Sequence, residues 1–111
     1  MRRGSVAVIA QKGVYKGKPR PAVIIQAEAL LPTHPSILVC LVTGAEEGRP
    51  GAFYRIPVEP TSSNGLEKPS VIMADKIETI RRENVGQIIG YLDEATLGKL
   101  DTALLLFQGL A

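Results

Sequence analysis

Short runs of β-branched and aliphatic residues, each closed by Gly, Pro, Asn or Asp within about eight to twelve residues, set the limits on what this chain can fold into. Residues 5–11 alternate loosely, residues 21–26 read Pro-Ala-Val-Ile-Ile-Gln, and residues 36–43 read Ser-Ile-Leu-Val-Cys-Leu-Val-Thr. Strands are predicted there and at 52–58, 70–74, 77–80 and 85–91. Between them lie a Gly/Lys/Pro loop at 12–19, a helical turn at 28–31 stopped by Pro32 and Pro35, a loop at 44–51 and a polar turn at 60–65. Proline begins the second strand but cannot sit inside a central one, where it would remove a ladder hydrogen bond. Only the last segment has helical spacing: Leu97, Leu100, Leu104 and Phe107 recur on one face. Asp93 is placed to cap that helix and Gly109 to stop it. Leu104–Leu106 carries the apolar stripe beyond one face, either for core packing or for a dimer contact. The pattern calls for one small, mainly β domain over 1–111, of barrel or sandwich type, with a C-terminal helix.

Composition narrows the classes further. Of 111 residues, 45% are hydrophobic and 22% charged, which is globular usage and excludes a largely disordered chain. No apolar run reaches the roughly 20 residues that a bilayer span needs. The apolar run after Arg2-Arg3 is too short for a secretory signal and leads into Gln11-Lys12-Gly13, so a cytoplasmic protein without membrane attachment is expected. One cysteine and one histidine allow neither an intrachain disulfide nor a Cys/His metal cage, and no metal or cofactor is expected.

Charge is unevenly placed. The first 20 residues carry Arg2, Arg3, Lys12, Lys16, Lys18 and Arg20 and no acid, whereas the seven basic residues that follow are outnumbered by eleven acidic ones. Such a segment suits a surface built for anions, and it equally suits a solvated basic edge that discourages strand pairing. Gly13-Val14-Tyr15-Lys16-Gly17-Lys18 is not a Walker loop: its spacing is one residue short and Pro19 replaces the hydroxyl residue. It can still hold a polynucleotide backbone by charge. His34 lies in a Pro-Thr-His-Pro turn and Cys40 in mid-strand, so neither is placed as a nucleophile's partner.

Four segments together resemble the MazF/PemK toxins of type II toxin–antitoxin systems. They are Arg3-Gly4 opening a strand, Gly17-Lys18-Pro19-Arg20-Pro21-Ala22-Val23-Ile24-Ile25 after a basic loop, Leu41-Val42-Thr43 ending the third strand, and Val71-Ile72-Met73-Ala74-Asp75-Lys76-Ile77 with Ile80 beyond. The resemblance implies a small SH3-like barrel of the CcdB/MazF type with a C-terminal helix, a homodimer, and metal-independent cleavage of single-stranded RNA. It also implies a cognate antitoxin that covers the substrate groove. Arg20 and Thr43 fall on the family's catalytic pair and Asp75 on its acidic substrate contact. Lys16 and Lys18 of the basic loop, together with Asp75 and Lys76, are the expected RNA contacts. Gly44 stands where the family usually has Ser or Thr, Lys76 where it usually has Gln, and Met73 where one branch has a catalytic arginine.

The residue types suit the chemistry. A guanidinium offers a fixed fork of donors to phosphoryl oxygens and keeps its charge, and a preorganised donor of this kind is worth about 3–4 kcal/mol in a water-poor site. Thr43 adds a neutral donor. Read alone, Arg20 is a surface arginine and Thr43 a strand-end residue chosen for β-propensity; the resemblance reverses both. Asp75 is otherwise free to pair with Lys76 or Arg20, and Arg55, Arg81 and Arg82 read as solvated charges. Two alternatives stay open: a CcdB-like gyrase-binding toxin, or a family member that binds RNA or antitoxin without cutting.

Overall fold

The computed structural model describes residues 1–111. Strands β1 (Ser5–Ile9), β2 (Arg20–Ile24), β3 (Ser36–Gly44), β4 (Arg55–Val58), β5 (Ser70–Arg81) and β6 (Val85–Tyr91) are joined by a short helix α1 (Ala45–Gly48) and followed by α2 (Glu94–Phe107). All pairings are antiparallel, in the order β4-β5-β3-β2-β1-β6. The mainly β architecture with a terminal helix is the one expected. Its strands make one bent sheet whose edges, β4 and β6, do not pair with each other.

Alternation along the strands gives the sheet two apolar faces. Val6, Val23, Cys40, Val42, Ile56 and Ile72 lie on one face with Leu100, Ala103 and Leu104 of α2. Ala7, Ile9, Ala22, Ile24, Val39 and Leu41 lie on the other with Val14 and Leu31 from the loops. Each of these side chains is at most 8% exposed. Burying a Val, Leu or Ile side chain in this way contributes about 1.5–3 kcal/mol. Helix α2 starts as expected, with the Asp93 carboxylate accepting from the Thr96 amide at 2.7 Å. It ends in a Schellman turn: the Leu110 amide donates to Leu105 and that of Gly109, at φ +74°, to Leu106. Leu105, Leu106 and Phe107 stay nearly half exposed, so the stripe read beyond one face is not buried within the chain.

The strands expected at 5–11, 21–26 and 52–58 run 5–9, 20–24 and 55–58, and two further readings change in kind. The segments read as separate strands at 70–74 and 77–80 are halves of one long strand, β5. Leu41 pairs with Met73 and Cys40 with Ile77, so Ala74, Asp75 and Lys76 bulge out between the two registers. The bulge switches the alternation: Ile72 and Ala74 face the α2 side before it, Ile77 faces that side after it, and Ile80 faces the other. The loop read at 44–51 contains α1, which is too short to show a helical period. It is pressed so closely on β5 that a Cβ on Gly48 would lie 2.7 Å from Val71 Cβ.

The 59–69 loop folds back over β6. Gly65 has φ +70°, and a Cβ there would meet Ile89 O at 2.1 Å. Gly65→Ala should therefore destabilise the fold by upward of about 2 kcal/mol in urea unfolding, through a backbone clash that no rotamer relieves. Asn64 fixes the same turn, its side-chain oxygen accepting from the Thr61 and Leu66 amides and its Nδ2 donating to Glu59 O. Glu67 and Lys68 are thereby held beside the open end of β2 and β3.

Candidate active site

Strands β2 and β3 part company at one end of the sheet. On its β1 side β2 stays paired down to Arg20, opposite Ile9, but its pairing with β3 stops at Ala22, opposite Leu41. Continued for two more residues, the same register would set Pro21 against Val42 and Arg20 against Thr43. Pro21 has no N–H to give, so the ladder cannot continue there. Arg20 and Thr43 instead line one cleft of about 520 Å³, with Gly44, Lys68, Ser70 and Gln87 on its walls. The expected catalytic pair is brought together by register, from positions 23 residues apart in the chain.

Lysine 68 was not foreseen. Its Nζ lies 3.1 Å from where a Cβ on Gly44 would sit. The absent side chain at Gly44 thus gives room to an ammonium, which supplies a second cation beside Thr43. Its only sequence signal was the Lys-Pro pair preceding a strand, which is not specific.

Thr43 borders a second depression shared with Tyr15, Glu47, Arg49, Arg55 and Lys76. Its Oγ1 donates to Glu47 Oε2 at 3.1 Å. The hydroxyl proton assigned to a phosphoryl oxygen on sequence grounds is directed at a carboxylate, and the hydroxyl oxygen remains able to accept. The spacing of four residues between Thr43 and Glu47 was visible in the sequence, but the short helix that makes it meaningful was not.

Lys16 and Lys18 are exposed on the basic loop, and Arg20 is exposed at its end. The N-terminal arginines serve the fold: Arg3 binds Asp101 of α2 at 2.7 Å and Ile25 O at 3.0 Å, and the Arg2 guanidinium lies over the Tyr91 ring at 4.0 Å. The cationic surface is therefore the loop at 12–20.

Asp75 pairs with neither Lys76 nor Arg20. Its two oxygens accept from Arg55 Nε and Nη2, both at 2.8 Å, while Arg55 Nη1 donates to Gly48 O at 2.6 Å. The side chains are 14% and 17% exposed, so Arg55 is not the solvated charge read from the sequence. Arg82 is also engaged, donating to His34 O and Leu31 O, and Arg81 pairs with Glu83 at the surface. The forked hydrogen bonds from Arg55 hold the Asp75 carboxyl below the usual range, and Asp75 raises Arg55 in turn. The stability from a lowered carboxyl is fully present above its unfolded value of about 3.9 and is lost as pH falls through the lower folded value. Asp75→Asn should cost about 3 kcal/mol near pH 7, because it strands a largely buried guanidinium. Urea unfolding should show that difference shrinking in acid. Lys76, next in the bulge, is exposed.

Cys40 is fully buried, and burial pushes its thiol up to about 12, so it stays protonated. His34 is confined to its turn by Ser36. Nowhere do three His, Cys, Asp or Glu side chains gather as a metal cage requires.

Residues 2–107 match the profile of the PemK-like, MazF-like toxins of type II toxin–antitoxin systems. This chain belongs to that family. A probable endoribonuclease MazF of Mycolicibacterium smegmatis is 39% identical over 111 residues, covering 100% of this chain and 99% of that protein. The Mycobacterium tuberculosis toxin MazF-mt6 superposes with a TM-score of 0.80 at 26% identity, over 96% of this toxin and 98% of that one. A mycobacterial endoribonuclease solved with its cognate antitoxin gives 0.82 over 100% and 97%, at 24% identity, a likeness of fold. The toxin also has no helix long and apolar enough to cross a membrane.

Proposed function

We propose that this toxin is an endoribonuclease that cuts single-stranded RNA with the substrate's own 2′-hydroxyl as nucleophile, Arg20 and Thr43 being its catalytic residues. The observation that carries the reading is the meeting of Arg20 and Thr43 at the split between β2 and β3, in one cleft with Lys68. The Arg20 fork binds the non-bridging oxygens as charge accumulates on the phosphorane, and Lys68 adds to the positive field. Thr43 Oγ1, its proton held by Glu47, accepts from the 2′-hydroxyl. The 2′-oxygen–phosphorus bond forms as the 2′-proton passes through Thr43 to the carboxylate. The bond to the 5′-oxygen breaks with its electron pair going to that oxygen, which takes a proton from water to leave as a hydroxyl. Lys16 and Lys18 track the strand's phosphates, and Lys76 meets bases at the β5 bulge, which the Asp75 pair with Arg55 holds in place. The chain acts as one toxin domain over 1–111, as a homodimer in the cytoplasm, and is silenced by a cognate antitoxin.

Incubating the purified protein with a long RNA in EDTA tests the reading. Discrete fragments ending in 2′,3′-cyclic phosphate are expected. Intact RNA would leave a gyrase-binding toxin or a non-cutting RNA binder in its place. Thr43→Val should slow cleavage about 10–100-fold, because it removes the hydroxyl that relays the 2′-proton while leaving Arg20, Lys68 and Glu47 in place. Single-turnover assays at saturating enzyme would measure it.

A further inference from the structure

The gap where β2 and β3 separate is filled by one side chain that the chemistry above does not use. Tyr15 comes from the basic loop, and its hydroxyl lies between the two strands. It accepts from the Val42 amide at 2.5 Å and lies 2.6 Å from Val42 O and 2.8 Å from Pro21 O, the two carbonyls that share its single proton. These are the groups the ladder leaves open, because Pro21 has no N–H and Val42 has no partner across from it. Val42 is 1% exposed, so its peptide has no ready water to turn to. The loop adopts left-handed backbone at two non-glycine residues, φ +49° at Tyr15 and +55° at Lys16, to bring the ring there. Such conformations persist where the surroundings over-determine them. Burial raises the phenol's pKa, only partly offset by the Val42 hydrogen bond and the nearby charge of Arg20, so the hydroxyl keeps its proton.

We propose that Tyr15 is a positioning residue, a wedge that stands in for the missing rung and sets the separation of Arg20 and Thr43 without touching RNA. Pro21 is next to Arg20 and Val42 next to Thr43, so one oxygen holds the backbone on both sides of the cleft. The inference rests on the reading that Arg20 and Thr43 cleave RNA. It adds that the cleft's width is set by the loop that also carries Lys16 and Lys18.

Tyr15→Phe keeps the ring and removes the wedge. In the full-length protein it should lower kcat about 10–100-fold, while KM and the Kd for an uncleavable 2′-deoxy RNA change less than about twofold. In a Thr43→Val background the same change should add less than about twofold, since both act on one proton acceptor. Restoring an N–H with Pro21→Ala in the Tyr15→Phe protein should recover melting temperature by letting the strands zip, while kcat stays low. A structural role alone would move stability and kcat together. The proposal is overturned if Tyr15→Phe retains kcat within twofold, if its loss multiplies fully with that of Thr43→Val, or if Pro21→Ala restores kcat along with stability. Should Tyr15→Phe alone not fold, the Tyr15→Phe/Pro21→Ala double variant decides, with reduced kcat at a parental melting temperature expected and parental kcat overturning the proposal. A parent protein that never cuts RNA would instead refute the cleavage reading. Faster hydrogen exchange at the Val42 amide of Tyr15→Phe would still register the wedge, and unchanged exchange would refute it.

Discussion

Arg20→Lys should abolish most cleavage, on the order of 100–1,000-fold in single-turnover rate, although the charge is conserved. An ammonium is a point charge on a flexible stem. It cannot present two parallel donors to the paired oxygens of a phosphorane, and it is more strongly hydrated where water must leave. Arg20 is exposed at the end of β2, with its backbone fixed opposite Ile9, so the substitution should leave the fold intact. Unchanged melting temperature with RNA binding reduced only a few-fold would assign the loss to the transition state. A lysine variant that cuts at the parental rate would remove Arg20 from the chemistry, and the cleft would then need another electrophile, for which Lys68 is the other cation lining it.

Replacing the ribose on the 5′ side of the cut by deoxyribose should stop cleavage at that bond altogether. The 2′-oxygen lies beside its own phosphorus, and its attack is intramolecular, with effective molarities of about 10⁵ M or more against water. No histidine lines the cleft to activate a protein nucleophile: the Ser70 hydroxyl donates to Lys68 O, and Thr43 Oγ1 is already engaged by Glu47. Binding should persist, because phosphate and base contacts survive the loss of one hydroxyl. Filter binding and gel analysis of the same oligonucleotide would separate the two effects. A deoxy-substituted strand still cut at that bond would place the nucleophile on the protein or in water, and the role of Thr43 as proton acceptor would fall with it.

The strands were legible because both faces of the sheet are apolar, so uninterrupted runs such as Ile37–Val42 announce themselves without an amphipathic period. The terminal helix was legible from its cap, its period and its stop. What escaped were features whose meaning depends on a partner far along the chain. Arg55 reads as a surface charge until Asp75, 20 residues on, is folded against it. Lys68 has no role until the missing Cβ of Gly44 is placed beneath it. Tyr15 reads as an aromatic in a lysine loop, and only the absent N–H of Pro21 explains where its hydroxyl goes. The proline of the Arg-Pro pair was itself a signal: it marks where a ladder must stop, and therefore where a cleft can open. Glu47 escaped because one turn of helix leaves no period to read.

The bulge in β5 also constrains how the lengths of related chains can vary. Three residues, Ala74, Asp75 and Lys76, stand between the last pair of one register and the first of the next. Plain alternation across that odd number would turn Ile77 and Ile80 to the wrong sides, so the bulge itself makes the correction. A relative shorter by one residue at this point, or by all three, would bring the second half of the strand to the same sides by plain alternation, whereas one shorter by two would lose the Asp-Lys pair and still need a bulge. Straightening the strand thus costs an odd number of residues, and a relative can shed the Asp-Lys pair as a unit only by keeping the kink.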